Sequence, residues 1–207
     1  MRTRTLALAS GVLLTAALTL AGCAQTSSGG MPGMNHGSTP MHSASSSAST
    51  QFNTADQMFL MMMIPHHEQA IEMSDLVLSK DDVDPRVTDL AQQIKDAQGP
   101  EIDTMKSWLE EWGAPYDDSM MDGDMGSGMG HDGMMSEEDM AALEAATGAE
   151  ASRLFLEQMT AHHEGAIEMA QSVLEDGQNQ DVLELAQTII DAQTAEIATM
   201  QELLGTL

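Results

Sequence analysis

Two stretches of this 207-residue chain are nearly identical: Ile64–Ser74 reads IPHHEQAIEMS and Thr160–Ala170 reads TAHHEGAIEMA. Each precedes a second match, LAQQIKDAQGPEIDTM from Leu90 and LAQTIIDAQTAEIATM from Leu185. An internal repeat of this length sets the architecture before any single motif does, because whatever the first half forms the second must form too. Counting in steps of four and three from Phe59 gives Phe59, Met63, His66, Ala70, Met73 and Val77. The same count from Phe155 gives Phe155, Met159, His162, Ala166, Met169 and Val173. Both are heptad-type helical seams, so these side chains are expected to face a common interior.

Cap and breaker signals divide the repeat into helices. Thr54 with Gln57 fits a capping box that opens a helix running to about Ser79. Asp84 followed by Pro85 suits an N-cap with proline at the first helical position, and Gly113 with Pro115 ends that second helix after Trp112. Ser136 with Asp139 starts a short helix broken near Gly148. Further helices are expected over 149–175, stopped by Gly177, and over 181–204. Nothing reads as a strand. The expected fold class is all-α, a four-helix bundle built from two duplicated helical hairpins, with residues 52–207 as one domain. The Gly/Asp/Met-rich stretch 114–135 reads as a flexible loop within it.

The first 22 residues read as a targeting segment: Arg2 and Arg4 precede an apolar run, which ends in Leu20-Ala21-Gly22-Cys23. The run is too short and wrongly flanked for a spanning helix. A cysteine in that setting resembles the bacterial lipoprotein box, which implies lipidation at Cys23, membrane attachment and an extracytoplasmic location. Residues 23–51 are rich in Ser, Met and His and read as a disordered tether. Cys23 is the only cysteine, which excludes an intrachain disulfide and a multi-thiolate metal site. Removing residues 1–22 leaves five basic residues against 33 acidic ones, a net charge of about −28. Such a surface repels phosphate backbones, so nucleic acid is not an expected partner.

Methionine is the compositional anomaly, with 20 residues against three Phe, two Trp and one Tyr. Core filling accounts for some of them. It does not account for those in polar segments, where Met31, Met34 and His36 cluster, Met41 adjoins His42, and Met129 lies two residues before His131. Every histidine in the chain has a methionine within four residues. Thioether and imidazole together select copper, Cu(I) above all, whereas zinc has little use for thioether. The Glu-x-x-His pairs of di-iron carboxylate sites are absent from these helices.

The expected central ligands are therefore His66 and His162 with Met63, Met73, Met159 and Met169. His67 and His163 stand beside them on a flanking seam with Leu60 and Ile64, and Leu156 and Thr160. Glu101 and Met105 recur as Glu196 and Met200 on one face of the partner helices, preceded by Gln98 and Gln193. Either the two glutamates join the metal site or they orient a histidine from outside it. Glu68, Glu72, Glu164 and Glu168 are expected to face solvent, and Pro65 to kink the first helix. Met31, Met34, His36, Met41, His42, Met129 and His131 read as accessory ligands that capture metal on flexible chain.

The segments FLMMMIPHHEQAIEMS and FLEQMTAHHEGAIEMA resemble the bacterial family called domain of unknown function 305, over roughly residues 52–205. That resemblance implies a ferritin-like helical bundle outside the cytoplasm. It also implies copper binding through Met/His segments, as in members linked to copper tolerance. Carried to this chain, it touches Met63, His66, His67 and Met73, and Met159, His162, His163 and Met169. One departure is Gly99-Pro100, where the repeat has Thr194-Ala195; a kink there is expected to displace Glu101 and Met105.

The expected function is copper sequestration, storage or delivery by a non-enzymatic, membrane-anchored protein, with a copper-delivery protein as partner. Two alternatives from other classes are a ferritin-like metal-dependent oxidase and a metal-free helical interaction module.

Overall fold

Capping chemistry and apolar periodicity set the helices of the computed structural model, which describes residues 51–117 and 133–207. Five helices and no strand occur among them: α1 (Thr54–Leu78), α2 (Pro85–Glu111), α3 (Glu137–Ala145), α4 (Gly148–Asp176) and α5 (Gln180–Leu204). The pairs α1–α2 and α4–α5 pack closely, α1 packs on α4, and α3 lies against both α1 and α4. No helix of the described residues is long and apolar enough to cross a membrane.

Most boundaries fall where the caps place them. Asp84 accepts from the Arg86 N–H ahead of Pro85, and Ser136 and Asp139 form a reciprocal capping box before α3. Helix α2 ends in a Schellman arrangement: Gly113 has φ +73°, its N–H bonds the Glu110 carbonyl, and the Ala114 N–H bonds that of Leu109. The start of α1 differs from expectation. Asn53, not Thr54, is the N-cap, and the reciprocal partner is Asp56, not Gln57. A tertiary contact selects that register, because the fully buried Asp56 carboxylate also accepts the N–H groups of Gln178 and Asn179 in the α4–α5 turn.

The expected displacement at Gly99-Pro100 does not occur. Helix α2 continues through it, Glu101 reaches a histidine of α1, and Met105 is fully buried. Proline at 100 removes a hydrogen bond to the Asp96 carbonyl, but both residues lie on the exposed face, where water satisfies that carbonyl.

Every residue of the two seams is buried except Met169, which is half-buried. Met73, its counterpart, lies in a cluster that α3 closes with Leu143. Nothing among the described residues places a matching short helix at the other end. Glu72, Glu164 and Glu168 face solvent as expected, while Glu68 is half-buried and accepts from Lys106 at 2.6 Å.

The core is two apolar clusters with a polar layer between them. One joins Phe59, Leu60 and Met63 of α1 and Met105 of α2 to Ala166 of α4 and Ile189 of α5. The other joins Met73 and Ile94 to Phe155, Leu156, Met159 and Met200. Equivalent positions of the two halves thus lie in opposite clusters. Along every long helix, the residues between the clusters are the repeated His, Gln and Glu.

Candidate metal centre

The polar layer is built by α1 and α4 turning the same residues toward each other. His66 is 1% exposed and His67, His162 and His163 are fully buried. The His66 and His162 rings lie 3.7 Å apart between centroids, tilted by 41°, and the His163 ring centroid is 6.3 Å from that of His162. Two of the expected ligands, 96 positions apart in the chain, are thus brought into direct contact.

The outer helices hold the flanking histidines. His67 Nε2 lies 2.8 Å from Glu101 Oε2, and His163 Nε2 lies 2.6 Å from Glu196 Oε2. A carboxylate only accepts, so Nε2 carries the proton and donates, leaving the lone pair on Nδ1. In both residues Nδ1 is buried and has no hydrogen-bond partner. This carboxylate–histidine arrangement fixes the tautomer and ring orientation of metal-binding imidazoles, with the metal taken by the other nitrogen.

His162 goes further. No group meets hydrogen-bond geometry at either of its ring nitrogens. Burial, above all, holds its pKa well below the usual histidine range; charge on His66, His163 or His67 would push the same way, and the His66 backbone opposes weakly. The ring is therefore neutral at neutral pH, the form that binds metal. The Oε1 atoms of Gln98 and Gln193 are also buried and without a partner. Each such atom costs on the order of 1–3 kcal/mol. A duplicated set of them is hard to account for by packing alone.

Thioethers lie on both sides of the layer. Met63 and Met105, with half-buried Met169, belong to one cluster, and Met73, Met159 and Met200 to the other. Besides the exposure of Met169, the two sides differ at another sulfur. Thr160 Oγ1 lies 3.8 Å from Met200 Sδ, a contact that Ile64, in the matching place, cannot offer Met105. Among the described residues no three His, Cys, Asp or Glu side chains are grouped to share a metal ion. The nearby donors other than imidazole are thioether sulfur and amide oxygen, and imidazole with thioether suits a soft ion.

One feature escaped sequence reasoning. The Gln69 side chain pairs with the Met135 backbone, donating to its carbonyl at 2.9 Å and accepting its N–H at 2.7 Å. Gly133, at φ +86°, lies so close to α4 that a Cβ would stand 2.8 Å from the Gly165 Cα and 2.9 Å from the His162 carbonyl oxygen. The segment 133–135 thus spans α1 and α4 beside the histidine layer. The only sequence trace is that Gln69 and Gly165 occupy equivalent places in otherwise matching motifs. Cys23, Met31, Met34, His36, Met41, His42, Met129 and His131 lie outside the described residues.

The model of the domain of unknown function DUF305 matches residues 56–204. The chain belongs to the DUF305 family. A DUF305 fragment from Deinococcus radiodurans is 28% identical with a TM-score of 0.65, over 77% of this chain and 99% of that one. A DUF305 protein from Streptomyces coelicolor is 34% identical with a TM-score of 0.65, over 73% and 93%. CopM in its Cu(II)-bound form is 32% identical with a TM-score of 0.62, over 73% and 96%. CopM also has Cu(I)-bound and silver-bound structures that match this chain. No curated protein matches it.

Glu101 and Glu196 supply a prediction. Changing both to glutamine keeps the side-chain volume but leaves an amide that no longer fixes the imidazole tautomer. Cu(I) affinity is expected to fall roughly 10–100-fold, the usual effect of losing an outer partner. Competition against a Cu(I) chelator, with circular dichroism to show retained helix, measures it; unchanged affinity would remove the two glutamates from the site.

Proposed function

We propose that this chain is a copper-binding protein, anchored outside the cytoplasm by lipid at Cys23, that sequesters, stores or hands on copper through Met/His sites. The observation that carries the reading is the buried histidine layer, with a partnerless Nδ1 on His67 and on His163, set between two methionine-bearing clusters. In this reading His66 and His162 are the central ligands, His67 and His163 bind through Nδ1, and Glu101 and Glu196 orient them. Met63, Met105 and Met169 on one side, and Met73, Met159 and Met200 on the other, supply sulfur. The copper- and silver-bound forms of CopM lend support at about 30% identity.

The same reading takes the two long hairpins as products of duplication that form a ferritin-like four-helix bundle, with α3 as an addition between them. Met31, Met34, His36, Met41, His42, Met129 and His131 act as capture ligands, each weak because ordering their chain offsets binding energy. A protein that receives copper from this one completes the delivery role, and no reaction is catalysed. The oxidase alternative lacks a carboxylate-rich centre among the described residues.

Titrating the reduced mature chain with Cu(I) against a competing chelator tests the proposal. A site tighter than the capture tracts, accompanied by a rise in melting temperature, is the expected result. Binding no stronger than that of free methionine peptides, with no change in melting, would favour the metal-free interaction module.

A further inference from the structure

Helix α1 carries three methionines that the central layer does not use: Met58, Met61 and Met62. Met58 is 36% exposed, and Met61 and Met62 are half-buried. Met58 neighbours both of the others on the helix surface, at spacings of three and four with Cβ atoms about 5–6 Å apart, while Met61 and Met62 are consecutive and flank it. Each side chain has three rotatable bonds and ends in a polarizable sulfur, so the sulfurs can converge on one ion.

The second half of the chain acts as an internal control for packing. Where the first half has Met58, Met61 and Met62, the second has Leu154, Glu157 and Gln158. The Glu157 side chain is 53% exposed, so the fold does not require an apolar residue at that place. Gln158 is 8% exposed and donates to the Asp139 carbonyl of α3 at 2.9 Å, a partner for which Met62 has no use. An apolar residue is therefore not required at the place of Met61, although Met61 packs on the edge of one apolar cluster and Leu154, in the place of Met58, packs on the other.

The surroundings suit an ion arriving from solvent. Met61 and Gln57 line an open cavity of about 620 Å³ with the segment after α2, Gly113, Ala114, Pro115, Tyr116 and Asp117. Gln57 Nε2 is 4.0 Å from Met61 Sδ. Met62 stands one helical turn from Met58 and one turn from His66, and exposure falls along that line from 36% at Met58 to 1% at His66.

We propose that Met58, Met61 and Met62 form a solvent-facing three-thioether site for a soft monovalent ion, Cu(I), in series with the buried histidine pair. Three neutral sulfurs as the donor set favour Cu(I) over zinc, magnesium or calcium, with Asp117 on the wall of the same cavity as an anionic neighbour that attracts the ion. The proposal rests on the copper reading above, so its test must fail separately from that reading.

The test follows methionine ε-methyl resonances in the full mature chain, labelled with carbon-13 at those methyls, as Ag(I) is added as a redox-inert stand-in. Single Met→Leu variants assign the signals. The expected result is that the Met58, Met61 and Met62 methyls shift along one common curve. Met61→Glu, which imports the residue of the second half, should abolish the shifts of the other two with helix content unchanged. Met58→Leu with Met62→Leu should likewise silence Met61, which covers the case of a Met61→Glu chain that fails to fold. Separate curves for the three methyls, or silence there while Met63 and Met159 respond, would overturn this site and leave the copper reading standing. Silence at every methionine would overturn both.

Discussion

Alanine at both His66 and His162 is expected to remove the tightest Cu(I) site, lowering affinity by more than about 100-fold, beyond the usual cost of losing an outer partner. The two ring centroids lie 3.7 Å apart, so the double variant removes the pair of imidazoles at the centre of the layer. Thermal melting reads the same loss. At free Cu(I) of 100 times the wild-type Kd, the wild type gains about 2.7 kcal/mol from binding; a 100-fold weaker variant gains about 0.4 kcal/mol. Met140→Leu is the control, since Met140 packs from α3 onto one apolar cluster and belongs to neither copy of the repeat. Equal affinity in wild type and double variant would make the buried histidines structural and move the metal to the Met/His residues of 23–51 and 114–135.

Why the layer was partly legible beforehand follows from helical geometry. Phe59 to Val77 and Phe155 to Val173 keep one face through the four-three count, so the inward direction of His66 and His162 could be read from spacing alone. Their mutual contact could not, because it depends on how α1 and α4 cross. The same limit hid which histidines Glu101 and Glu196 meet, His67 and His163. Long-range contacts also explain the misplaced details. Asp56 shifted the first cap by one residue because its carboxylate serves the α4–α5 turn, 122 and 123 positions away. Met169 lost full burial because the neighbourhood of Met73 is closed by α3, an element outside the repeat. The Gly133–Met135 segment was illegible because a close approach of two backbones leaves little more than a glycine in sequence.

Cys23→Ala is expected to change location almost completely, from the membrane fraction to the soluble fraction, or to leave the signal segment uncleaved. A cysteine directly after Leu20-Ala21-Gly22 is where the lipid would attach, and no helix of the described residues can substitute as an anchor. Burial of acyl chains contributes about 0.8 kcal/mol for each CH₂, and stable attachment takes more than one chain. Losing the attachment point therefore leaves no spanning helix among the described residues to replace it, and the net charge of about −28 on the chain beyond residue 22 opposes adsorption to anionic lipid. Fractionation with immunoblotting, together with mass spectrometry of the mature N-terminus, measures the outcome. A processed alanine variant that stays with the membrane would reject the lipid anchor without touching the copper site.

The central claim is that the tightest ion sits in a mixed methionine–histidine environment inside the helices. X-ray absorption at the copper edge, on the mature chain loaded with one equivalent of Cu(I), tests it most directly. The predicted spectrum contains both sulfur and imidazole nitrogen scatterers, and the imidazole component disappears in the His66→Ala, His162→Ala protein. A first equivalent surrounded by sulfur alone, or by oxygen and nitrogen without sulfur, would contradict it.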